Sequence, residues 1–91
     1  MSEKPRLSGQ QAFNRVFWDP RLNRDAFVIG HADRKAAGGV CEVPLVHWDP
    51  EGYIPWHRIL YIRCGSEVVW SRQGAVDRLS VGDLPAEAWL P

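Results

Sequence analysis

The sequence predicts a small α+β fold: an antiparallel sheet of four to five strands, built from hairpins and packed by an N-terminal helix. Three observations carry this expectation. Ser8 and Gln11 have the spacing of a capping box and stand in front of an apolar stripe. Gly65-Ser66 is a two-residue connection between two runs of strand-favouring residues. Phe27–Asp33 and Val40–Val46 are two further such runs, parted by the short stretch Arg34–Gly39. With 91 residues there is room for one core and no second domain.

Taken in order, 1–7 is a polar, loose N-terminus containing Pro5. Gly9–Phe17 reads as a helix, with Ala12, Phe13, Val16 and Phe17 at helical spacing. Trp18-Asp19-Pro20 ends it, because a proline disfavours helical backbone in the residue before it. Arg21–Asp25 is a charged turn. Phe27–Asp33 is a strand in which Gly30 marks a bulge or a close approach. Arg34–Gly39 is a hairpin tip, and Val40–Val46 the return strand, with Pro44 placing it at an edge or ending it. His47–Pro55 is loop.

Ile54–Arg72 (IPWHRILYIRCGSEVVWSR) is the central hairpin. A Gly-X connection suits a type II′ turn, and a two-residue loop fixes the register. Cys64 then faces Glu67, Ile62 faces Val69 and Leu60 faces Ser71. On the other side Arg63 meets Val68, Tyr61 meets Trp70 and Ile59 meets Arg72. One face carries Leu60, Ile62, Cys64 and Val69, a plain core surface. The other carries His57, Tyr61, Arg63, Trp70 and Arg72 beside Ile59 and Val68. Rings interleaved with cations suit base stacking and phosphate pairing, and such a face could equally lie under a helix. Ala75–Val81 is expected to add a short strand. The domain is expected to span 8–81, followed by a C-terminal tail, 82–91, with Trp89 as an anchor.

Lysine plus arginine and aspartate plus glutamate balance at 11 each, so bulk charge does not drive the chain onto a polyanion. Nine of those eleven cations are arginine, which offers planar, bidentate donors for phosphate or carboxylate. A GC-rich genome would produce the same bias. No run is long and apolar enough to span a membrane and no leader is visible, which gives a cytoplasmic expectation. Cys41 and Cys64 lack CxxC spacing and read as reduced thiols, though strands bearing them could be neighbours.

Among polar residues, His57-Arg58 opens the central strand. An arginine fork and a histidine whose charge varies near neutral pH can hold a terminal phosphate. The plainer reading is a backbone-bonded histidine and a surface ion pair. Asp33-Arg34 and Trp18-Asp19-Pro20-Arg21 each pair an acid with a cation, which local turn chemistry also explains. Trp18 and Trp70 fit a core as well as a stacking platform. His31, His47, His57, Cys41 and Cys64 show no CxxC, HxxxH or HExxH spacing, so neither metal nor cofactor is expected.

FNRVFWDPRL (Phe13–Leu22), HADRKAAGGVCEVPL (His31–Leu45) and Ile54–Arg72 together resemble the small archaeal and bacterial RNA-repair domain, also called the RNA cyclic-group end-recognition domain. The likeness covers about residues 8–80, with WDPR, DR, IPxHRI and VWxR blocks in the same order. It implies a non-catalytic module that recognises RNA ends, in particular 2′,3′-cyclic phosphate, alone or fused to RNA-processing enzymes. The family's polar positions fall on Asn14, Arg15, Trp18, Asp19, Asp33, Arg34, His57, Arg58, Trp70 and Arg72, with Asp77 at looser spacing. Ser71 stands where many members have an acid.

The candidate RNA-binding residues are thus Arg15, Trp18, Asp19, Asp33, Arg34, His57, Arg58, Tyr61, Trp70 and Arg72. His57, Arg58 and Arg34 would hold phosphate oxygens; Trp70, Tyr61 or Trp18 would stack on the end base; Asp19 and Asp33 would orient arginines or accept from a ribose hydroxyl. The expected partners are single-stranded RNA ends and an RNA-processing enzyme, with no membrane. Two alternatives stand beside this: a protein-interaction subunit of an RNA-processing or ribosome-assembly complex, and a metal-independent ribonuclease or phosphodiesterase using His57 with another histidine.

Overall fold

The computed structural model describes residues 7–73 and 76–91. Helix α1 runs Gly9–Phe17 as predicted. Ser8 caps it: its side chain accepts from Gln11 N at 3.1 Å, and the Gln11 side chain accepts from Ser8 N at 2.9 Å. Such a cap is worth about 1 kcal/mol. The helix buries Ala12, Phe13 and Val16 against the sheet.

Four strands form one antiparallel sheet: β1 Phe27–Ala32, β2 Val40–Pro44, β3 Ile59–Cys64 and β4 Glu67–Ser71, in the order β2–β1–β3–β4. Four predicted strand ends shorten. β1 stops at Ala32, one residue before the expected Asp33. β2 stops at Pro44, after which Leu45–His47 is a 3-10 turn. Arg58 belongs to a 3-10 turn, Trp56–Arg58, and Arg72 follows β4. The β3–β4 connection has Gly65 at φ 58° and Ser66 outside the positive-φ region, the pattern of the expected type II′ turn.

Two bulges correct the expected register. Cys64 faces Glu67 and Arg63 faces Val68, but Ile62 then faces Trp70 and Tyr61 faces Ser71. Val69 is the extra residue, so Trp70 moves to the Ile62 side and both Val69 and Trp70 are buried. Between β1 and β3, Gly30 faces Tyr61 while His31 faces Ile59, which leaves Leu60 as the extra residue. Ile59 therefore joins Ile62 and Cys64 in the core, and Leu60 is only half-buried. The predicted placing of Leu60 inside and of Ile59 and Trp70 on the other face is reversed at all three positions. Packing is the reason: full burial of Trp70 and Ile59 brings more apolar area out of water than Leu60 would.

The core gathers Phe13 and Val16 of α1, Phe27 and Ile29 of β1, Leu45, Ile59, Ile62, Val69, Trp70, Leu79 and Ala88. The opposite sheet face carries a polar clasp. Glu42 accepts from Tyr61 Oη at 2.5 Å, from Arg63 Nε at 2.9 Å and from Arg63 Nη2 at 2.8 Å. Cys41 and Cys64 are free thiols with β1 lying between their strands, which rules out the neighbouring placement. Burial pushes the Cys64 thiol up to about 11.

Past β4, the expected strand over Ala75–Val81 reduces to a single bridge between Trp70 and Asp77, with 74–75 outside the described residues. Asp77 accepts from Leu7 N at 3.0 Å, and Leu7 O accepts from Trp70 Nε1 at 2.9 Å. The loose start expected for 1–7 otherwise falls on 1–6, outside the described residues. In the last segment Ala88 is buried, and Trp89 bridges to Leu22 beneath the Arg21 guanidinium. Among the described residues no helix is long and apolar enough to cross a membrane.

Candidate functional site

Antiparallel pairing of β1 with β3 sets the end of the first beside the start of the second. Asp33 and Arg34 leave β1; His57 and Arg58 lead into β3. Their side chains line one open cleft of about 370 Å³ together with Ala32 and Gly39. Successive residues of a strand point to opposite faces, so His57 and Arg58 could not share a ligand there. The 3-10 turn removes that obstacle. Arg58 N donates to Pro55 O at 3.0 Å, and the Trp56 ring packs on Phe13 and Trp48 at 5.5 and 5.9 Å, tying the turn to the core.

On the other wall, Asp33 Oδ1 accepts from Lys35 N at 2.9 Å and Asp33 N donates to Gly39 O at 2.9 Å. Gly38 and Gly39, at φ 75° and 77°, return the chain into β2. Left-handed backbone at both positions explains the glycine pair.

Arg34, His57 and Arg58 are exposed, and among the described residues no hydrogen bond, ion pair or ring contact engages their side chains. The other described arginines are all engaged. Arg15 and Arg21 are held by Asp19, Arg63 by Glu42, and Arg78 by Glu67 and Asp83. Arg24 lies over the Phe17 ring at 4.7 Å, and Arg72 donates to backbone carbonyls. Two guanidinium groups and an imidazole are thus left facing one cleft that holds one acid. That arrangement can take up an oxyanion by charge-assisted hydrogen bonds.

The remaining expected site residues are not part of this cleft. Asp19 accepts from Arg15 Nη1 at 2.5 Å and from Arg21 Nε at 3.1 Å and Nη2 at 2.9 Å. Those bonds, Arg21's first, hold its carboxyl well below the usual range. Trp18 beside it is 72 % exposed and meets Phe17 edge-on at 4.9 Å. The clefts that Trp18 and Asp19 line share no residue with the one holding His57. Tyr61 is half-buried in the Glu42 clasp, and its hydroxyl is pushed up by burial and then by Glu42.

Trp70 and Arg72 require correction. Trp70 is 1 % exposed, so its ring is a core element and cannot stack on a base. The Arg72 guanidinium carbon sits 5.6 Å from that ring, and Nε and Nη2 donate to Ile59 O at 2.8 Å and Trp56 O at 2.7 Å, so these donors grip the chain. Gly39 and Ala32 were not expected in the cleft; the Gly-Gly pair at the hairpin tip was the available signal for the first.

Of the histidines, His31 is buried with Nδ1 3.2 Å from Ala32 O, and His47 lines a different cleft with Trp48 and Tyr53. Among the described residues no three His, Cys, Asp or Glu gather as metal ligands would. No solved structure matches the chain. A family model, the MJ1316 RNA cyclic group end recognition domain, matches residues 7–72, the stretch that holds α1, all four strands and both walls of the His57 cleft, and the chain belongs to that family.

Proposed function

We propose that this protein binds single-stranded RNA ends that carry a 2′,3′-cyclic or other terminal phosphate, without chemistry of its own. The one observation that carries the reading is the convergence of Arg34, His57 and Arg58, unengaged, on a single cleft. Each guanidinium offers a planar fork to phosphate oxygens, and the imidazole adds a third donor. In a cyclic end the terminal 2′ and 3′ oxygens are both esterified. Asp33 would therefore accept from a base amine or from the preceding ribose. A neutral chain suits this task, since an end binder needs a few aimed charges, not a broad basic field. The family description names RNA cyclic-end recognition; on this reading the protein acts in RNA repair or processing in the cytoplasm, beside an RNA-processing enzyme.

Trp18 supports a second reading. A ring 72 % exposed and away from the cleft would serve an interaction subunit as well as a base-stacking site. Cleavage by paired histidines draws no comparable support, because His57 lines its cleft without His31 or His47.

The test is titration with matched oligoribonucleotides ending in 2′,3′-cyclic phosphate, 3′-phosphate or 3′-hydroxyl. A phosphate-bearing end should bind about tenfold tighter or better, the gain expected of one to two charge-assisted hydrogen bonds. Equal, weak affinity for all three ends removes the proposal.

A further inference from the structure

We infer that Arg72 is a positioning residue: it holds the Trp56–Arg58 turn so that His57 and Arg58 present their donors to the cleft. The inference rests on the reading of that cleft as a terminal-phosphate site. Its own support is geometric. Arg72 follows β4, far along the chain from the turn, and antiparallel pairing sets it beside the start of β3, where its side chain reaches the turn. Nη2 donates to Trp56 O at 2.7 Å and Nε donates to Ile59 O at 2.8 Å. These two carbonyls flank His57 and Arg58 on either side. One rigid guanidinium therefore sets the spacing across the pair. A single 3-10 turn has few bonds of its own: here Arg58 N reaches Pro55 O, and Ile59 N reaches the same Trp56 carbonyl that Arg72 holds.

The guanidinium is itself confined. The Trp70 ring lies 5.6 Å from Cζ on one side. On another, Gly9 of α1 leaves just enough room: a Cβ there would come within 2.9 Å of Arg72 Nη2 and 3.1 Å of Trp56 O. Three elements distant in sequence, the first turn of α1, the Trp56–Arg58 turn and the residue after β4, thus meet at the Trp56 carbonyl. Lysine cannot replace this grip, because one ammonium lacks the fixed fork that spans two carbonyls. A phosphate site depends on donors held to within about 0.5 Å. Loosening the turn should therefore cost phosphate recognition before it costs the fold.

The experiment compares Arg72→Lys, Arg72→Gln and Gly9→Ala with the unaltered protein, and takes Arg78→Gln as a control on a surface ion pair. Two quantities are read well below each variant's melting temperature. The first is the affinity ratio between cyclic-phosphate and hydroxyl-ended oligoribonucleotides. The second is the set of amide and imidazole NMR shifts of His57 and Arg58. The ratio is expected to fall about tenfold in both Arg72 variants, with the hydroxyl-ended affinity unchanged and with shifts moved at 57 and 58. Arg78→Gln should keep the ratio. Gly9→Ala should lower it in the same direction, and it stands in for Arg72→Gln if that variant does not fold. Methylguanidinium added to Arg72→Gly should restore part of the lost ratio, which a general loss of stability would not allow. A ratio kept within about twofold in folded Arg72→Lys and Gly9→Ala, with the 57 and 58 shifts unmoved, overturns the inference. If the unaltered protein shows no preference for phosphate ends, the reading of the cleft fails, and the NMR shifts alone still decide the role of Arg72.

Discussion

The Tyr61 ring packs directly on Gly30 across the β1–β3 pair, so closely that a β-carbon at position 30 would overlap the ring's Cζ and Cε atoms. The missing side chain lets the phenol lie low over the sheet and reach Glu42 on the far strand.

Gly30→Ala should therefore destabilise the fold, although by backbone entropy alone alanine is favoured over glycine inside a strand by about 0.5–1 kcal/mol. The overlap is with a ring flanked by Arg63 and Glu42, and relieving it means lifting Tyr61 off its acceptor. The expected loss is about 1–3 kcal/mol, the usual range for a buried side chain forced into filled space. Urea unfolding followed by tryptophan fluorescence measures it. In a Tyr61→Ala background Gly30→Ala should cost much less, and an equal cost in both backgrounds would refute the ring contact as its cause.

Acid should weaken the same clasp. The hydrogen bonds from Arg63, then that from Tyr61, bring the Glu42 carboxyl down from 4.5 to about 2. Its folded-state value is thus depressed. The stabilisation is present above about 4.5 and is lost as pH falls from there toward about 2. Solvent reaches 38 % of the Glu42 side chain, so screening keeps the contribution small. Glu42→Gln should be less stable than the unaltered protein near neutrality, and the gap should close across that acid window. Chemical-denaturation midpoints at a series of pH values measure it, and a gap independent of pH would show that the carboxylate charge is not what matters.

Asp33 should discriminate between phosphate ends by charge. A cyclic phosphate carries one negative charge, and an open monoester carries close to two at neutral pH. The Asp33 carboxylate in the cleft wall repels the second more strongly. Asp33→Asn keeps an Oδ1 acceptor for the Lys35 amide and so preserves the turn. The variant should gain affinity for 3′-phosphate ends by roughly fivefold relative to cyclic ends, the size of about 1 kcal/mol between unit charges about 4 Å apart in water, as suits an open cleft. Parallel titrations of the three end types decide it, and an unchanged preference would place the Asp33 carboxylate out of reach of the ligand.

What was legible in the sequence was local. Ser8 and Gln11 announce α1 because both partners of the cap lie within one turn. Gly65-Ser66 announces the β3–β4 turn because only the first of the two needs positive φ. Gly30 did mark the β1–β3 irregularity, but not that Leu60 would be the extra residue; the bulge at Val69 carried no local signal, and both follow from which large side chains the core can hold. That one-residue slip moved Trp70 from the expected binding face into the interior. The cleft was half legible. Asp33-Arg34 and His57-Arg58 stand out as polar pairs, but their meeting depends on β1 and β3 being neighbours. Arg72 was read as one of the RNA-binding residues on the mixed hairpin face; its bonds to Ile59 O and Trp56 O depend on the folded register and were not legible.

The Arg34–Gly39 tip that forms one wall of the cleft closes the β1–β2 hairpin, and beyond Gly38 and Gly39 there is open space where side chains would stand. A hairpin tip can change length without disturbing the ladder that carries it. If the cleft takes an RNA terminus as proposed, insertion or deletion at 35–38 would alter which terminus fits, while the His57–Arg58 side, fastened to the core by Trp56, would stay as a constant half of the receptor.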